Sequence, residues 1–97
     1  MVSATITEEK LEKYFSITNK ALEQARQHLD PSRRAQAEDF LDMATRYYQD
    51  ARYFLEKKDD AVLAFAALNY SHGWLDAGAR IGLFMVKDST LFTVDEQ

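Results

Sequence analysis

The sequence contains no cysteine, one proline, three glycines and a single tryptophan among its 97 residues. Without thiols there is no disulfide, no thiolate zinc site and no cysteine nucleophile, which fits a reducing, cytoplasmic setting. Scarce proline and glycine leave few places where long helices are forced to stop. The stretch from Met1 to Glu12 is acidic and lacks an apolar run, so it does not read as a signal peptide. Excess positive charge is missing as well: 12 Lys and Arg stand against 16 Asp and Glu, a net charge of −4. That balance argues against a dedicated nucleic-acid surface. No glycine-rich phosphate loop, serine elbow or catalytic acid pair is present. No cofactor is expected.

What is there is apolar and periodic. The apolar fraction of 46% excludes an intrinsically disordered chain and suffices for one small core. Leu11, Tyr14, Phe15, Thr18, Leu22, Ala25 and Leu29 recur in three- and four-residue steps, one stripe of an amphipathic helix. Thr5 with Glu8 has capping-box spacing, and Thr7 is the competing cap. Asp30-Pro31 marks a turn and the start of a second helix. In that helix Ala37, Ala44 and Ala51 are seven apart, as are Phe40, Tyr47 and Phe54, and Leu41, Tyr48 and Leu55. Sustained sevens mean helices packed nearly parallel with a left-handed twist. The spacing predicts an all-α, three-helix up-down-up bundle with helices over about 7–29, 31–57 and 60–85. It reads as a single domain, 1–97, with a bundle core over 7–86 and a short C-terminal tail over 87–97. Leu91, Phe92 and Val94 give that tail the means to dock.

Helix three differs from its companions. Between Ala61 and Val86 the only formal charges are Asp76 and Arg80, while Asn69, Ser71 and His72 further interrupt the apolar run and argue against a membrane span. Projected at 100° per residue, Asn69, His72, Asp76 and Arg80 share a sector about 80° wide. Ala64, Ala67, Ser71, Gly78 and Gly82 form a stripe of small residues. Phe40, Tyr47 and Phe54 of helix two are expected to fill the space above that stripe, giving the glycines a packing role. The apolar arc is wider than three helices bury; the tail over 87–97, a second copy or another protein partner is expected to cover the excess, and a homodimer through helix three is favoured.

The one constellation with chemistry in it is His72, Asp76 and Arg80, stepping by four with Asn69 beside them. As a site, His72 would move a proton, Asp76 would orient it, and Arg80 would hold an anion. As structure, the same ladder satisfies a half-buried polar strip. Trp74, near Tyr70, reads either as core or as a ligand-stacking surface with Asn69. Two ligands at i, i+4 with His28 on another helix do not make a metal site. The cations of helix two, six against five acids, read as a solvated mixed face, with an RNA-facing strip as the alternative. The residues favour a protein-interaction or self-association module without catalysis. The alternative is a small-ligand-binding, hydrolytic or RNA-processing domain centred on His72, Asp76 and Arg80.

The stretch from Tyr47 to Phe84 carries Asp50-Ala51, Tyr53-Phe54-Leu55-Glu56-Lys57, Ala64-Phe65-Ala66, Asn69-Tyr70 and His72-Gly73-Trp74-Leu75-Asp76-Ala77-Gly78. In these it resembles an archaeal family known as domain of unknown function 357. The resemblance implies a compact helical bundle in an archaeal cytoplasm and no particular activity. The Tyr-rich Asp-Ala helix before an Ala-rich helix is more distantly similar to HEPN-type bundles. Some of those are ribonucleases with a His four to six residues after an Arg. Here His72 precedes Arg80, so that similarity implies shared architecture without the chemistry.

Overall fold

The computed structural model describes residues 5–94. The ends of the expected N-terminal stretch and tail, residues 1–4 and 95–97, lie outside the described residues. Three helices form a bundle: α1 (Glu8–Gln27), α2 (Arg34–Lys58) and α3 (Ala61–Arg80). The short connections reverse the chain between successive helices. Among the described residues no strand forms, and one isolated antiparallel bridge joins Leu29 to Phe84.

The starts follow from local chemistry. Of the two threonines, Thr7 is the cap of α1, its hydroxyl accepting from the Lys10 N–H at 3.1 Å. Asp30 accepts from the N–H and hydroxyl of Ser32, and Pro31–Arg33 form a 3-10 turn before α2 rather than its first α-helical turn. Those two Ser32 bonds, with the Arg33 guanidinium adding less, hold the Asp30 carboxyl below the usual carboxylate range. Asp59 closes α2 in the left-handed conformation, φ 49°, and Asp60 caps α3 by accepting from the Leu63 N–H at 2.9 Å.

The expected ends at 29 and 85 are both too late. α1 stops at Gln27 because residues 28–30 pair with 83–85: Asp30 N–H donates to the Leu83 carbonyl at 2.9 Å and Met85 N–H to that of His28 at 2.7 Å. α3 stops at Arg80 because Gly82 takes φ +79° and the chain folds back. The Gly78 carbonyl then accepts from Leu83 N–H at 2.8 Å, a helix-ending wrap. Periodicity hid this turn, since Ile81 to Val86 are apolar on either path. Phe84, inside the expected helix over 60–85, lies beyond the end of α3 and is 1% exposed in the core.

The seam between α2 and α3, the largest helix contact, also differs from expectation. The alanine heptad faces α3, with Ala37, Ala44 and Ala51 fully buried, while Phe40, Tyr47 and Phe54 flank the seam half-buried. Backbones approach closely enough for the Ser71 hydroxyl to donate to the Ala44 carbonyl at 2.6 Å. The glycines of α3 therefore do not lie beneath that aromatic ridge. Gly78 instead receives the Phe84 ring, to which a Cβ would come within 2.3 Å. The core of Leu22, Ala25, Leu75 and Leu83 continues through the C-terminal segment, where Leu91 and Phe92 dock beside α1 and α3.

Candidate functional site

His72 sits midway along α3, with its two ring nitrogens bound by different parts of the chain. Nε2 lies 2.7 Å from the Leu91 carbonyl, and Nδ1 lies 3.1 Å from the Thr18 hydroxyl of α1. A carbonyl only accepts, so Nε2 carries the proton; in the neutral ring Nδ1 then accepts from Thr18. One turn on, Asp76 accepts from the Thr93 N–H at 2.8 Å, and its oxygen lies 3.7 Å from His72 Nε2. His72 and Asp76 thus clamp the C-terminal segment against α1 and α3. The other end of that segment is held by Asp88, which accepts from the hydroxyl and N–H of Thr90 and from Gln24 Nε2 of α1. The Thr90 bonds, the hydroxyl's first, hold the Asp88 carboxyl below the usual carboxylate range.

The clamp borders a small pocket of about 210 Å³, lined by Tyr14 and Thr18 of α1 and by Asn69, His72, Gly73 and Asp76 of α3. Of the residues singled out from the sequence, His72, Asp76 and Asn69 come together here. Arg80, exposed at the last turn of α3, does not line the pocket. Trp74 faces α2, its ring edge-on to Phe40 at 5.0 Å between centroids. Sequence reasoning missed Thr18, Leu91 and Thr93 as partners of the ridge. Thr18 stood out only as a polar residue within an apolar stripe, and the other two act through backbone atoms that no residue type announces.

The outer face of α3 is the second feature. Ala66, Asn69, Tyr70, Gly73, Trp74 and Ala77 line an open, largely apolar hollow of about 520 Å³. Tyr70 is 60% exposed, its ring against Tyr47 of α2 at 4.5 Å. A Cβ at Gly73 would meet no neighbouring atom within 4 Å. The C-terminal segment covers the other side of α3 and leaves this one open. Among the described residues, no helix is long and apolar enough to cross a membrane.

A family model described as "Protein of unknown function (DUF357)" matches residues 13–84, which span the greater part of the three helices. No curated protein and no solved structure matches the chain.

Proposed function

The chain belongs to the DUF357 family, whose description names no activity, and from its geometry we propose a self-associating interaction module without catalysis: a homodimer formed through the outer face of α3. The observation that carries this reading is Gly73. A glycine inside a helix costs about 1 kcal/mol relative to alanine, and among the described residues no packing explains this one. An external backbone approaching α3 would explain it, as small residues allow close helix contact.

The occupant we assign is a second copy. The hollow is lined by no formally charged side chain, so two chains of net charge −4 can meet there without like charges in contact. It is also self-complementary. A two-fold axis near Gly73 would bring Tyr70 and Trp74 of one copy over the space left by Ala66, Gly73 and Ala77 of the other. Pairing doubles a core that is small for its surface. The cysteine-free sequence supports a reducing, cytoplasmic location.

Light scattering coupled to gel filtration tests this at micromolar concentrations. A dimer is expected for the native chain, and a monomer with unchanged helical content for Gly73→Leu, whose side chain enters open space in the single chain. A native chain that stays monomeric across this range removes the proposal.

A second reading rests on the pocket beside His72. Its volume, about 210 Å³, lies below the ~300–1,000 Å³ of drug-sized ligand sites. Only a ligand of a few heavy atoms fits. Asn69 and Asp76 would bind it, with His72 as the candidate acid or base and Arg80 and Trp74 outside the pocket. Ligand-induced amide shifts at Thr18, Asn69 and Asp76 that vanish in Asn69→Ala support it, and no shift with a small polar fragment set ends it.

A further inference from the structure

α1 contacts α3 more than it contacts α2, and a groove remains between the first two helices on the side away from α3. We propose that this groove, of about 660 Å³, is a docking site for one amphipathic helix with basic flanks, supplied by a partner protein.

The lining has helical periodicity on both walls. α1 contributes Glu8, Leu11, Glu12, Phe15, Ser16 and Asn19, two neighbouring rows (8, 12, 16 and 11, 15, 19) that make one stripe along the helix. α2 contributes Tyr48, Arg52, Leu55 and Glu56, and its closing residue Asp59 ends a second stripe of similar length. At 1.5 Å per residue each runs for about 16 Å, three turns of helix. Two antiparallel helices offering matched stripes form the trough that a further helix fills by ridge-into-groove packing. The floor is apolar: Leu11 and Phe15 are buried from the α1 side, and Tyr48 and Leu55 are half-buried from α2. Phe15 and Tyr48 meet edge to face at 5.7 Å.

The rim decides which helix fits. Glu8 and Glu12 stand on one lip, and Glu56 and Asp59 on the other. The one cation of the groove, Arg52, bonds Glu56 at 3.0 Å and lies over the Phe15 ring at 5.2 Å. Among the described residues no group of three or more His, Asp or Glu is suited to hold a metal ion. These carboxylates stand on both lips at one end of the groove, where the start of α1 lies beside the end of α2, about one turn of helix on each side. A single ion cannot match them, whereas Lys and Arg spaced along a helix can. A second copy is a poor occupant, since the open apolar hollow on α3 carries no formally charged side chain to meet these carboxylates.

The test is titration of the ¹⁵N-labelled full-length chain with two synthetic helical peptides sharing one leucine face. One carries Lys on its flanks and the other Glu. The Lys peptide is expected to bind saturably, shifting the amides of Leu11, Phe15, Tyr48 and Leu55, with affinity falling several-fold at high salt. Neutralising Glu8 or Glu12 to Gln should weaken binding by about two- to five-fold each. Glu8→Lys/Glu12→Lys, with its helical circular dichroism intact, should reverse the preference toward the Glu peptide. Equal binding of both peptides, absence of saturation, or shifts centred on Tyr70 and Trp74 would overturn the assignment. The last outcome would leave the α3 face standing and eliminate this one, so the two surfaces are tested separately.

Discussion

Three glycines within ten residues have three different reasons to be glycine. Gly82 needs its positive φ, and a Cβ there would also come within 2.9 Å of the Arg33 guanidinium. Gly78 needs to be small, since Phe84 lies over it and is itself fully packed. Gly73 needs neither within the single chain. Gly78→Ala should therefore destabilise the fold by about 1–3 kcal/mol, whereas Gly73→Ala should stabilise the isolated chain by about 1 kcal/mol. Urea denaturation of both variants, at concentrations below any association, checks the opposite signs. Asp59 offers a third case. Its left-handed backbone strains an L side chain, so Asp59→Gly should add about 0.5–1 kcal/mol in the same assay.

The C-terminal segment is the element whose attachment rests most on polar groups. Thr18, His72 and Leu91 form one chain of bonds, and replacing His72 by Phe leaves a hydroxyl and a carbonyl without their partner. We expect a loss of about 1–3 kcal/mol, with amide exchange accelerating first at Leu91 to Val94. The segment should also respond to acid. Asp88 and Asp30 have carboxyls held below the ordinary range by hydrogen bonds to the charged form. Their contribution is complete above the unfolded value of about 3.9 and is lost as pH falls through the lowered folded values. Thermal melts should thus be insensitive to these groups between pH 7 and 5. Below about pH 4 the segment should loosen, and Asp88→Asn should flatten part of that response. A native chain and Asp88→Asn with identical profiles between pH 5 and 2 would contradict it.

At the scale of the whole molecule, the two open surfaces differ in chemistry: the α3 face is uncharged, and the α1–α2 groove is acid-rimmed. Dimerisation through α3 predicts a melting temperature that rises with protein concentration for the native chain and not for Gly73→Leu. The same measurement in high salt should change little, because no charged side chain lines that hollow.

The three helices and their candidate caps were legible in the amino-acid order, because they depend on neighbours three, four or seven positions away. Spacing left Thr5 and Thr7 as alternative caps and marked α2 as a long helix, but which of its heptad rows faces α3 was settled only by packing. The ridge of His72 and Asp76 was legible as a ridge, but its partners were not, since Thr18 lies 54 residues away and Leu91 and Thr93 act through the backbone. Only the folded chain decided that α3 ends at Arg80, that Phe84 turns inward over Gly78, and that one face of α3 is covered while the other is left open. Each is a competition among apolar residues for the same core volume, and residue type alone does not rank competitors that are equally apolar.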